Sequence, residues 1–104
     1  MNFNVLQKQT RELEAFITSK SKSEKPDNIF VLITHLLSEC GEAANEIKGM
    51  EGKRAGDPLS YSKAELAKEL IDVIFNVLRI ANHYSIDLDN QWDKRLDGIK
   101  AKFK

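Results

Sequence analysis

Two acidic doublets stand out along the chain: Glu39-x-x-Glu42 and Glu69-x-x-Asp72. A spacing of three is close to one helical turn, so each doublet in a helix presents two carboxylates on one face. Both lie among residues of core type, with Leu36, Leu37 and Ile47 around the first and Leu66, Leu70 and Val73 around the second. Crowding like charges beside apolar surface is costly unless a cation neutralises them. One doublet alone is ordinary on a solvated helix face. Two of them, each beside the apolar face of its own helix, point to a divalent metal site built from two facing helices. Four carboxylates suit magnesium or manganese, hard ions that take oxygen ligands.

The elements that must position these acids read as helices throughout. Prolines number only two and glycines five, and most fall between periodic segments, which favours an all-α chain. A first helix is expected from about Asn4 to Thr18, with Val5, Leu6, Leu13, Phe16 and Ile17 as its apolar stripe. The polar run at 19–25, with Lys20, Lys22 and Lys25, reads as a solvated loop. A second helix begins near Pro26 or Asp27, both suited to a first turn, and continues to Lys48 with Gly49 as its stop. Three glycines mark 49–58 as a loop. A third helix starts at Ser62, where Ser62-x-x-Glu65 matches a capping box, and runs through Ile80 to about Tyr84. Asp87 or Asp89 caps a fourth, carrying Leu88, Trp92, Leu96, Ile99 and Phe103.

On the second helix, with Glu39 at zero, Glu42 lies at roughly 300°, His35 near 320° and Glu46 near 340°. Leu32, Ile33, Leu37, Cys40 and Ile47 occupy roughly 20° to 160°. On the third, with Glu69 at zero, Arg79, Asp72, Glu65 and Asn76 span roughly 280° to 340°, and Leu66, Leu70, Val73, Ile74, Val77 and Ile80 roughly 20° to 140°. Both acidic strips therefore border an apolar face. On the third helix that face widens through Ile71, Phe75 and Leu78 beyond what one intramolecular partner covers, which suggests a subunit interface. Glu65 is accounted for by its capping position. His35 has no second histidine at ligand spacing on its helix, and His83 near a helix C-terminus has a structural use there.

At 104 residues the chain reads as a single domain, 1–104, with one modest core. Basic and acidic residues balance at 16 each, so no global charge favours nucleic acid or a membrane surface. The one cysteine, Cys40, excludes an internal disulfide, suits a reducing compartment and reads as a small core residue. No stretch has the apolar length of a leader or a membrane span, so a soluble cytoplasmic protein is expected.

Three stretches together resemble a known family. They are Leu-Leu-Ser-Glu39-Cys-Gly-Glu42-Ala-Ala-Asn-Glu46-Ile-Lys, then Lys-Glu69-Leu-Ile-Asp72-Val-Ile-Phe-Asn-Val-Leu-Arg-Ile-Ala-Asn82, then Ile-Asp87-Leu. The pattern of ExxE, a variable loop and ExxD is similar to that of the all-α nucleoside triphosphate pyrophosphohydrolases, and of the small MazG-like proteins in particular. It covers roughly residues 26–95. The resemblance implies a magnesium-dependent hydrolase (manganese a possible substitute) that converts a nucleoside or deoxynucleoside triphosphate to monophosphate and pyrophosphate, for sanitation or control of the nucleotide pool. It also implies a four-helix core per subunit, assembled as a homodimer or a dimer of dimers. Glu39, Glu42, Glu69 and Asp72 match the family's metal-ligand positions. In the family a lysine on the last helix is often followed by an asparagine; here Lys94 is followed by Asp97-Gly98.

In such chemistry a carboxylate not fully engaged by metal can take a proton from water, with Glu39 first and Glu46 second. A pyrophosphate leaving group needs positive charge, for which Lys53, Arg54, Arg79 and Lys94 are candidates. Asn76 and Asn82 could read a base edge or a sugar hydroxyl. Phe16, Phe30, Tyr61 and Trp92 could stack on a base or serve as core anchors. Two other functions fit less of the pattern. A di-iron helical protein would pair Glu with Glu-x-x-His, where this chain has Glu42 and Asp72. A non-enzymatic helical interaction module would turn its acidic faces to a basic partner.

Overall fold

The computed structural model describes residues 2–21, 28–52 and 61–103, and every regular element among them is helical. The helices are α1 (Phe3–Lys20), α2 (Ile29–Glu51), α3 (Lys63–His83) and α4 (Leu88–Ala101). The expected all-α class and the four helices are thus present, and their ends differ from expectation for local reasons. Helix α2 is capped by Asn28, whose side chain accepts from the Val31 N–H. Pro26 and Asp27 lie outside the described residues. The helix does not stop at Gly49 but passes through it to Glu51, and the Gly52 N–H closes on the Lys48 carbonyl. Gly49 serves a different purpose: a Cβ there would run into the Tyr61 ring.

The chain divides into two compact units. One contains α2 and the first part of α3, as far as Val77; the other contains α1, α3 from Leu78 onward, and α4. Among the described residues of the α2 unit the buried apolar side chains are Leu32 and Ala43, with the polar Asn76 buried as well. The start of α3 follows the capping-box motif in part. Ser62 Oγ accepts from the Glu65 N–H at 3.1 Å, as the sequence predicts. The reciprocal bond comes from elsewhere: Ser62 N–H donates to Oε1 of Glu46, on α2, at 2.9 Å.

Among the described residues of the other unit the buried ones are Leu78 and Ala81 together with Gln7 and Thr10. The stripe expected to pack inward from α1 (Val5, Leu6, Leu13, Phe16, Ile17) is exposed, and the helix turns polar residues in instead. Gln7 explains why. Its amide donates to Asn82 Oδ1 and to the Ile86 carbonyl and accepts from the Leu88 N–H, so the buried group is satisfied. Asp89 accepts from the Phe3 and Asn4 N–H groups at 2.8 and 3.0 Å, capping α1 from α4. Asp87 caps α4 through the Asn90 N–H. The rings of Phe3 and Trp92 meet at 5.3 Å.

Helix α3 ends in a Schellman arrangement. The Ile86 N–H reaches back to the Ala81 carbonyl and the Ser85 N–H to that of Asn82. Ser85 takes the left-handed position at φ 55°, where glycine is the usual occupant.

Much apolar surface remains uncovered in the single chain. Leu37 and Ile71 are 66% and 62% exposed, and Ile33, Ile47, Leu70, Ile74 and Val77 are exposed too. Cys40, expected in a core, is exposed, because it shares the uncovered α2 face with Ile33 and Leu37. No helix among the described residues is long and apolar enough to cross a membrane.

Candidate metal centre

The two acidic doublets meet within the α2 unit. Glu39 from α2 and Glu69 and Asp72 from α3 each offer an oxygen, and these oxygens lie within 4.8 Å of one another. All three residues are half-buried. The helical spacing supplies the pair on α3, and an antiparallel approach of α2 supplies Glu39. That approach follows from two contacts: Glu46 near the end of α2 bonds the start of α3, whereas Glu39, earlier on α2, faces Glu69, later on α3.

Glu42 is exposed, one turn further along α2, yet it acts on both neighbours. The Glu42 carboxyl lies within hydrogen-bond reach of Glu69. With partial burial and the charges of Glu42, Glu39 and Asp72, it pushes Glu69 from the ordinary 4.5 up to about 7. Glu39 is raised as well, first by burial, then by the charge and carboxyl of Glu42 and the charge of Asp72, while the Glu69 carboxyl pulls the other way. One oxygen of each, Oε2 of Glu39 and Oε2 of Glu69, is shielded from solvent without a hydrogen-bond partner. Shielded carboxylate oxygens without a donor, among like charges, call for a positive ligand. The all-oxygen donor set suits a hard divalent cation, and histidine or thiolate ligands favoured by softer metals are not part of the cluster.

Asn76 is buried one turn beyond Asp72, and its amide donates to the Asp72 carbonyl at 2.8 Å. Glu46 is occupied by the Ser62 N–H. Three candidates belong to the α1/α4 unit. Arg79 forms an ion pair with Glu14, Nε to Oε2 at 3.3 Å. Asn82 accepts from Gln7 and Arg11 and donates to the Gln7 carbonyl, and Lys94 is exposed on α4. Asn82, Gln7 and Arg11 line a polar cleft of about 420 Å³ with Asn4, Ser85, Ile86 and Asp87. Lys53 and Arg54 lie outside the described residues. Of the aromatics, Tyr61 lies against Gly49 and Trp92 packs on Phe3, while Phe16 and Phe30 are exposed. His83 makes an edge contact with Tyr84 at 4.8 Å, and Lys20 lies over the Phe16 ring. The Glu46–Ser62 bond was not legible from spacing, because Glu65 offered the Ser62 N–H a nearer partner.

The family model of the MazG nucleotide pyrophosphohydrolase domain matches residues 29–104, both doublets included. The chain belongs to this family. No curated protein and no solved structure matches it. The MazG match bears out the sequence resemblance and agrees with the all-α chain.

Proposed function

We propose that this MazG-family chain is a magnesium-dependent nucleoside triphosphate pyrophosphohydrolase, releasing monophosphate and pyrophosphate from a ribo- or deoxyribonucleotide for pool sanitation or control. The observation that supports it most is the Glu39–Glu69–Asp72 cluster, with its two shielded, partnerless oxygens. A triphosphate is an anion, and an acidic site takes it only by way of cations. Magnesium, with manganese as a substitute, would be held by Glu39, Glu69 and Asp72 with Glu42 beside them, and when bound it offsets phosphate charge and acidifies water.

The chain's own residues have separate tasks in this reading. Glu69 and Asp72 share one face of α3 and fix the donor set from that side. Glu39 answers from α2. An oxygen of Glu39 left free by the cation would take a proton from the attacking water. Glu42, the most exposed of the four, supplies negative charge that keeps the cluster dependent on a cation.

The partner surface belongs to the same reading. The exposed apolar residues of α2 and α3, Leu37 and Ile71 foremost, support assembly as a homodimer or homotetramer.

Turnover tests the proposal. Purified protein is incubated with a panel of triphosphates and magnesium, and pyrophosphate is separated from orthophosphate among the products. The expected result is monophosphate plus pyrophosphate, lost on chelation and in Glu42→Gln. No turnover of any nucleotide, with no magnesium-dependent thermal shift, would favour the non-enzymatic helical interaction module instead.

A further inference from the structure

Glu46 is an acid whose position neither doublet explains. It lies seven residues beyond Glu39 on α2, and Ser62, whose N–H it accepts, lies seven residues before Glu69 on α3. Seven residues are close to two helical turns, or about 10 Å of rise, so on each helix the tie and the acid share one face. Because the helices run antiparallel here, pairing Glu46 with Ser62 brings Glu39 opposite Glu69. Both contacts are present, and they express a single register. The Ser62 N–H could have been met locally by Glu65, as in a complete capping box. Meeting it from α2 turns a local cap into a bond between the two metal-bearing helices. A second contact secures the same end: the Tyr61 ring occupies the space a Cβ would take at Gly49, three residues past Glu46.

We infer that Glu46 is a positioning residue of the acidic centre: its hydrogen bond to Ser62 N–H, backed by the Tyr61–Gly49 contact, sets the α2–α3 register that brings Glu39 to Glu69 and Asp72. Glu46 acts as a hydrogen-bond acceptor and not as a metal ligand or a charge. This rests on the metal-centre reading given above. It separates two properties that carboxylates usually combine, because a glutamine at 46 keeps an acceptor oxygen while losing the charge.

The test pairs a metal readout with one that needs no metal. Manganese affinity is measured by titration, at a temperature where each variant retains its full helical signal. The α2–α3 geometry is measured by the distance between spin labels at Ser38→Cys and Lys68→Cys in a Cys40→Ser background. Glu46→Ala is expected to broaden the distance distribution and weaken manganese binding about tenfold, the lower end for residues that orient ligands. Glu46→Gln is expected to keep the narrow distribution and an affinity within about twofold of the parent. Gly49→Ala, which displaces Tyr61 and leaves Glu46 in place, should shift both readouts in the direction of Glu46→Ala. An unchanged distance distribution in Glu46→Ala overturns the inference. So does a loss of manganese affinity in Glu46→Gln with the distribution intact, which would make Glu46 a ligand. Failure of the parent protein to bind manganese would sink the functional reading instead, and the distance readout would still decide whether the tie sets the register.

Discussion

Glu69 is where the chemistry of the cluster can be read most directly. Its carboxyl is held at about 7 by the neighbouring Glu42 carboxyl, by burial and by three like charges. A carboxyl raised above its unfolded value of 4.5 binds its proton more tightly in the folded state. The penalty on folding is therefore complete above about pH 7 and fades as pH falls toward the unfolded value. Glu39 is shifted in the same direction and adds to the effect. The metal-free protein should melt at a higher temperature near pH 5.5 than near pH 8, and Glu69→Gln should shrink that difference; thermal melts at the two pH values check it. A bound cation replaces the protons, so magnesium should raise the melting temperature most at the alkaline end. Asp72→Asn should abolish that magnesium-dependent rise and lower turnover by two orders of magnitude or more, about 3 kcal/mol of transition-state stabilisation.

Among the elements, what could be read in advance depended on how far apart the partners lie in the chain. Ser62 as a cap, Asp87 as a cap and the end of α3 near His83 all follow from neighbours within a few residues. Asp89 does not. Sequence offers it as a rival cap for α4, yet it serves α1, whose N-terminus lies 86 residues away at Phe3. Asn28 caps α2, and spacing alone does not choose between adjacent residues of good capping type. Gly49 reads as a stop only if its missing side chain is assumed to serve the backbone, whereas it makes room for Tyr61. The doublets were legible because helical periodicity is local. Their convergence was legible only as an inference from charge, and the Glu46 tie that accompanies it was hidden behind Glu65. Two substitutions test the local assignments. Asp89→Ala should destabilise the protein by about 1–2 kcal/mol through loss of the α1 cap. Ser85→Gly should stabilise it by about 1 kcal/mol, relieving the left-handed conformation at φ 55°. Chemical denaturation measures both.

For the whole molecule, the imbalance between core and surface is the dominant feature. Leu32, Ala43, Leu78 and Ala81 are the buried apolar residues described, against a long series of large apolar side chains left open. The stripe expected to close α1 is among the open ones, because Gln7 and Thr10 take the inward positions. Periodicity identified amphipathic helices correctly but could not say whether an apolar face meets its own chain or another. A second copy of the chain is the occupant that the proposed function carries. Ile71→Asp should then shift sedimentation from a dimer or larger species to monomer, since a stable interface of about 1,200 Å² or more does not tolerate a buried unpaired charge. A parent protein that sediments as monomer at micromolar concentration would contradict this.

The central claim is that Glu39, Glu69 and Asp72, with Glu42 beside them, form one metal centre, and a calorimetric titration of manganese into metal-free protein near pH 7 tests it most directly. Run in two buffers of different ionisation enthalpy, it reads the metal and the displaced protons together. The predicted result is saturable binding with net proton release, and loss of that release in Glu69→Gln. Binding with no proton release, unchanged in affinity when Glu69 or Asp72 is neutralised, would place the metal elsewhere and contradict the assignment.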